Sequence, residues 1–342
     1  MHSSRALPLA LSSVLALTIA SACGADEDAT PAVDTTPIVG LMELPIAHRN
    51  DGNVSGDALR IEISPSELRL DSQPIYTLER GRVPESEVSA DGLTDLTAAI
   101  RAAPARSRAT ITAHSLVGYG TAVRAVQSLL DAGYREIAFA VRPLSPTGAA
   151  PTQASWLSMS SPQIAEAGRG VIDPATYGGG VRPWSDFVSH WEEAYEACRA
   201  GSYVDCDPVP LAPAEGGFLQ VVLWARGSGM QLRFNRAGAP PPEPTQPTAP
   251  ALIEGVRGEA AGAGEEVPPD PSVTGAFAFR ATVATDPESP LTAVARPICG
   301  AAACQTVIEA DEETPMMRVL SFIGAVFPNG ATAPQLVFRL PR

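Results

Sequence analysis

The chain has 342 residues, with 38 acidic and 24 basic side chains and a formal net charge of −14. An acidic chain with no basic run lacks the concentrated cationic face that phosphate binding needs, so no nucleic-acid partner is expected. Apolar residues make up 45% of the chain, enough for real cores across about two domains, while 33 Pro and 29 Gly call for long loops or linkers.

Residues 1–23 read MHSSRALPLALSSVLALTIASAC. Arg5 gives a positive start, and Ala6 to Ala20 form an apolar run too short for a comfortable membrane span but suited to a secretory signal. Ala20-Ser21-Ala22-Cys23 resembles a bacterial lipobox, with Ala20 where Leu, Val or Ile is usual. Lipidation at Cys23 is therefore expected, with the mature protein held to the membrane through that residue. Gly24 follows in place of the Asp that often retains lipoproteins at the inner membrane, so the outer membrane facing the periplasm is the expected location. Residues 24–40 are polar, acidic and Pro-containing and read as a disordered tether, with structure beginning near Leu41.

In chain order, Leu59, Ile61 and Ile63 alternate as one face of a strand, and Glu67 to Asp71 is a second strand closed by a turn over Asp71-Ser72-Gln73-Pro74. Leu93, Leu96 and Ile100 have helical spacing, with Asp91 as N-cap and Pro104 just beyond the end. Ala109 to Ala113 is a strand. Ala122, Val123, Val126, Leu129 and Leu130 mark a second helix, which Gly133 ends in the left-handed conformation. Glu136 to Val141 is the next strand. This first domain spans 41–143. Residues 144–215 read as a mostly irregular Pro/Gly-rich insert with one amphipathic helix, on which Trp184, Phe187, Trp191 and Tyr195 form a packed aromatic face.

The second domain, 216–342, repeats the pattern. Gly217 to Trp224 and Met230 to Phe234 form a hairpin around Gly227-Ser228-Gly229. Phe277 and Phe279 are expected in a helix starting after Asp270. Thr306 to Asp311 matches Ala109 to His114, Pro315 opens a helix carrying Met317, Leu320 and Ile323, and Gln335 to Leu340 matches Glu136 to Val141. The fold class is therefore α+β: two β-β-α-β-α-β two-layer sandwich units in tandem, a diverged internal duplication.

Of the five cysteines, four remain if Cys23 carries lipid. Cys198 with Cys206 and Cys299 with Cys304 close short flexible loops, and an oxidising compartment makes both pairs disulfides. No His or second Cys pair lies near either loop in sequence, so no metal site is expected there.

The segment Leu41 to Pro143 resembles the periplasmic domain of the ExbD/TolR family. The residues that carry the likeness are Leu59, Ile61 and Ile63, Asp71-Ser72-Gln73-Pro74-Ile75, Ile111-Thr112-Ala113-His114, Tyr119, Ala132-Gly133 and Ile137 to Val141. The family pattern is a strand ending in Ala-Asp, a Tyr opening a helix, and Ala-Gly closing it. Here His114 takes the acidic position in the first copy. The second copy has Ala310-Asp311, with Met316 where Tyr119 would stand. The family's membrane helix bears a proton-carrying Asp, whereas the apolar segment 6–20 contains no acid. The resemblance thus implies the soluble part of the family's work: a non-catalytic module accessory to biopolymer transport or envelope energy transduction. It binds peptidoglycan or an extended peptide of an energy-transducing partner, and dimerises. The two units are expected to pair within one chain, and Glu67 to Asp71 is expected as an open edge for strand addition.

His114, Tyr119 and Asp311 are the candidate binding residues. Asp311 with Glu309, Glu312 and Glu313 reads as a solvated acidic turn that could hold a cation. Ala113-His114-Ser115-Leu116-Val117-Gly118 faintly resembles a nucleophile elbow but lacks both of its glycines, so a hydrolase-like or small-molecule site near Ser115 is the alternative reading. Gly118-Tyr119-Gly120 reads as a strand-to-helix connection rather than a phosphate loop. No catalytic residue and no cofactor is expected.

Overall fold

The computed structural model describes residues 37–47, 51, 54, 57–90, 92–143, 151–167, 172, 182–183, 185, 218–226, 229–237, 273–281, 305–326 and 335–341. The five cysteines and the aromatic residues Trp184 to Tyr195 lie outside them. The described residues form a mixed α+β fold, mostly strands, with three helices.

The first sheet contains β1 (Ile46–Ala47), β2 (Leu59–Ile63), β3 (Glu67–Leu70), β4 (Gln73–Thr77), β7 (Ala109–Ala113), β8 (Glu136–Pro143) and β9 (Ser155–Ser160), with a small pair β5 (Val88–Ser89) and β6 (Gly92–Leu93) beside it. Its order is β1-β8-β7-β2-β3-β4, and β9 lies antiparallel to β8. In β2, Leu59, Ile61 and Ile63 are fully buried, each contributing roughly 1.5–3 kcal/mol of apolar burial. The alternation that predicts the strand is thus the alternation of its inward face. Asp71 and Ser72 have φ of 47° and 69°, the two left-handed residues of a tight hairpin turn. The Arg106 guanidinium holds that turn with two contacts to the Asp71 carboxylate at 2.8 and 2.7 Å.

The second sheet contains β10 (Gln163–Ala165), β11 (Arg182–Pro183), β12 (Phe218–Arg226), β13 (Gly229–Ala237), β14 (Val273–Ala281), β15 (Gln305–Ala310) and β16 (Gln335–Arg339). Its order is β10-β16-β15-β12-β13-β14. The run β8-β7-β2-β3-β4 of the first sheet and the run β16-β15-β12-β13-β14 of the second have the same order. They also have the same sequence of parallel and antiparallel pairings.

Helix α1 (Thr94–Ala102) begins two residues later than a cap at Asp91, itself outside the described residues, requires, and the residue before it is Leu93, which has no capping side chain. The cap comes from the sheet instead: the Tyr76 hydroxyl accepts from the backbone N–H of Asp95 at 2.7 Å and of Leu96 at 3.3 Å. Helix α2 (Tyr119–Asp131) ends as its sequence predicts. Gly133 has φ of 97°, its N–H donates to Leu130 and that of Tyr134 donates to Leu129, the paired bonds of a Schellman cap. Helix α3 (Met316–Val326) buries Met316, Val319, Leu320, Phe322 and Ile323, so Met316 rather than Met317 faces the core.

Several expectations change. Phe277 and Phe279 lie in strand β14, not in a helix, because β13 offers them a continuous antiparallel ladder from Met230 to Arg236. Each unit thus gains a third antiparallel strand, β4 or β14, that the expected β-β-α order omits. Strand β3 is interior, paired with both β2 and β4, so Glu67 to Asp71 is no open edge; the edge is β4, where Pro74 removes one ladder donor. Residues 143–183 are less irregular than their composition suggests. In β9, Ser155, Leu157 and Met159 face inward, and β10 extends the second sheet. Packing also starts before Leu41, with Val39 and Leu44 buried beside Ala140 on the other face of the first sheet.

One core joins the two sheets. Leu59, Ile61, Ile111 and Phe139 of the first share a single cluster with Leu219, Leu223, Ile308 and Phe338 of the second. Each helix adds to it, α1 through Leu96 and Ile100, α2 through Val123 and Val126, and α3 through Met316 and Leu320. Nine of the thirteen residues of α2 are buried, including Gly120, Ala122, Val123, Ala125 and Val126, and Arg124, Gln127, Leu130 and Asp131 form the stripe that is not.

Candidate functional site: the junction of the two sheets

The parallel strands β7 and β15 end in equivalent turns. After β7, the His114 N–H donates to Ile63 at 2.8 Å and the Val117 N–H to His114 at 2.9 Å. After β15, the Asp311 N–H donates to Ala225 at 3.4 Å and the Thr314 N–H to Asp311 at 2.9 Å. Ile63 and Ala225 hold the same place, each the last residue paired to its parallel neighbour. His114 and Asp311 thus occupy matching positions with different chemistry.

The two turns then pair with each other. Gly118 and Pro315 form an antiparallel bridge, with Tyr119 N–H donating to Thr314 at 2.7 Å and Met316 N–H donating to Val117 at 2.8 Å. Gly118–Pro315 is the non-hydrogen-bonded pair of this bridge, so Pro315 costs no donor there. The contact joins equivalent positions, as a two-fold interface does. It also explains two glycines. A Cβ at Gly118 would lie 2.5 Å from the Glu312 carbonyl oxygen, and one at Gly120 would lie 2.5 Å from Glu312 Cγ. The N–H groups of Tyr119 and Gly120, which open α2, are bonded to Thr314 and Glu312. A phosphate loop would leave such donors for its ligand. The strand-to-helix reading of Gly118-Tyr119-Gly120 therefore describes this segment, which also meets a second strand end.

Tyr119 is fully buried and crosses the junction. Its hydroxyl lies 2.9 Å from the Ile308 carbonyl and 2.7 Å from that of Arg339, sharing one proton between two strands of the second sheet. Its ring tilts against Phe338 at 6.4 Å. Burial first, and the Glu309 carboxylate second, push the phenol well above its ordinary 10.0, so it remains protonated. Glu309 itself pairs with Arg339 at 2.8 Å. Of the candidate binding residues, Tyr119 is enclosed in the core, while Asp311 is exposed and His114 partly so.

At the outer rim, the His114 Nδ1 accepts the Leu116 N–H at 3.0 Å, which leaves its other nitrogen facing the Glu43 carboxylate at 3.9 Å. The Ser115 N–H donates to the Glu43 carbonyl at 2.7 Å. Arg82 pairs with Glu313, tying a loop of the first sheet to the turn of the second. Glu43 and Arg82 were not legible as partners of these turns, because both come from segments distant in sequence. Among the described residues no cluster of His, Cys, Asp and Glu has the arrangement of a metal site, and no helix is long and apolar enough to cross a membrane.

In comparisons with family models, curated proteins and solved structures, nothing matches this chain.

Proposed function

We propose that the chain is an exported lipoprotein, anchored through Cys23 in the cell envelope. In this reading its two sheets are diverged tandem copies of one ExbD/TolR-like unit, paired within the chain into a non-catalytic binding module accessory to biopolymer transport or envelope energy transduction. The observation that carries this reading is the junction: units of the same strand order meet through equivalent turns, Gly118 against Pro315. The family that the sequence resembles works as a dimer, and a linked pair supplies both halves at an effective concentration on the order of millimolar. Divergence then lets one rim carry His114 and the other Asp311.

Peptidoglycan and an extended partner peptide are the ligands this reading implies. The hydrolase alternative needs an imidazole lone pair for Ser115, and the Nδ1 lone pair of His114 is engaged by Leu116. The test is retention of the purified protein on peptidoglycan sacculi, together with cross-linking in intact cells. Retention, or cross-links to an envelope motor component, is expected. Absence of both, or covalent labelling of Ser115 by a fluorophosphonate, overturns the proposal.

A further inference from the structure

We propose that the junction sorts its partners: the turn carrying Gly118 accepts a unit carrying Pro315, and two Pro315-bearing turns cannot meet in this geometry. The second unit then pairs with a first unit and not with its own kind. The proposal rests on the reading of the two sheets as paired copies of one unit, and it names the residues that select the pair.

The copies are alike enough for the choice to need a cause. The first has β1 parallel beside β8 and the second has β10 parallel beside β16, so the two strand orders agree over all six strands. Two bonds of the junction are also equivalent, Tyr119 N–H to Thr314 at 2.7 Å and Met316 N–H to Val117 at 2.8 Å. The third bond is one-sided. Gly120 N–H donates to the Glu312 carbonyl at 3.1 Å, whereas among the described residues no bond joins Met317 N–H to Ser115, the matching pair. The two-fold relation breaks on the side that lacks glycine.

The cause is steric. The Glu312 turn lies against Gly118-Tyr119-Gly120, and the matching residues of the second copy are Pro315-Met316-Met317. With a second copy's turn in the place of the first, the Pro315 Cβ would take the slot 2.5 Å from a Glu312 carbonyl oxygen, inside the 3.0 Å that Cβ atoms keep. That oxygen belongs to the backbone, so no change of rotamer relieves the contact. Proline's missing N–H is not the obstacle. Gly118 has φ of −68°, which proline adopts, and it stands in the non-hydrogen-bonded pair of the bridge. Thr314-Pro315 also shows this turn running on into a proline. The selection therefore works by excluding the wrong partner through shape.

The test is a reciprocal exchange in the full chain, read as urea midpoints at constant m. Gly118→Pro sets one proline-bearing turn against another, and its midpoint is expected to fall further than that of Gly118→Ala. Gly118→Pro/Pro315→Gly returns one glycine to the pair with the roles reversed, and is expected to recover at least about half of that fall. Pro315→Gly alone is expected to gain nothing, because Gly118 already leaves the slot open and the helix loses its preset first φ. A double variant no more stable than Gly118→Pro overturns the sorting, and so does a gain that Pro315→Gly gives equally to the parent. If Gly118→Pro does not fold, the double variant decides: folded, it supports the sorting, and unfolded, it overturns it. A Gly118→Pro chain with the parent's midpoint instead removes the close approach of the turns, and the pairing reading with it.

Discussion

Replacing Gly118 by alanine isolates the junction, because the backbone there (φ −68°, ψ 152°) is open to any residue and the whole penalty is steric. The new Cβ would lie 2.5 Å from the Glu312 carbonyl oxygen, against a practical floor of 3.0 Å, so the turn must retreat by at least about 0.5 Å. That oxygen accepts Gly120 N–H at 3.1 Å, and the adjacent bonds Tyr119 to Thr314 and Met316 to Val117 move with it. A net backbone bond is worth about 0.5–1.5 kcal/mol, and a buried orphan group costs roughly 1–3. Losing two of the three bonds costs about 1–3 kcal/mol, and the roughly 0.4–1 kcal/mol that alanine gains by restricting the unfolded chain leaves a net loss of about 1–2 kcal/mol. Gly120→Ala is the control. Its Cβ meets Glu312 Cγ, a flexible side-chain atom that can rotate away, and alanine within a helix recovers up to about 1 kcal/mol. It should stay within about 1 kcal/mol of the parent. Urea unfolding at constant m reads both. A Gly118→Ala protein within about 0.5 kcal/mol of the parent, or equal to Gly120→Ala, would refute the close approach of the two turns.

Tyr119→Phe leaves the Ile308 and Arg339 carbonyls without their shared donor and should cost roughly 1–3 kcal/mol near neutral pH. The same residue predicts an alkaline effect. Its folded value lies above the unfolded 10.0, so its contribution is complete below about pH 10 and is lost as pH climbs from there toward the folded value; Tyr119→Phe should lack that part of the alkaline loss in a pH series of urea midpoints. Arg106→Met removes the cation bonded to Asp71, Asp57 and the Ala58 carbonyl and should destabilise the protein by about 1–3 kcal/mol; an unchanged midpoint would show that the β3–β4 turn stands without it. Non-reducing peptide mapping of periplasmic material is expected to recover Cys198 with Cys206 and Cys299 with Cys304 as two linked species, and free thiols at all four would refute the pairing.

The strands and helices that the sequence made legible are those whose period is imposed by one buried face. Leu59, Ile61 and Ile63 alternate because β2 turns one side to the core, and Gly133 marks the end of α2 because its left-handed backbone is a local demand. Likeness between the two halves was also visible, as Ala109 to His114 beside Thr306 to Asp311, because each half solves the same packing problem. Strand β14 was not, because Phe277 and Phe279 become a strand only through the ladder that β13 provides. The cap of α1 was equally hidden, since its acceptor is the hydroxyl of Tyr76 on a neighbouring strand rather than a residue beside the helix. The junction lay furthest from the sequence. Gly118 and Gly120 look like any strand-to-helix turn until Glu312 is brought against them, and Tyr119 looks like a helix-opening aromatic until its hydroxyl meets Ile308 and Arg339, about two hundred positions away. Local periodicity reports what a residue needs from its own segment. Which carbonyl it meets across the core is set only when both sheets close over the helices.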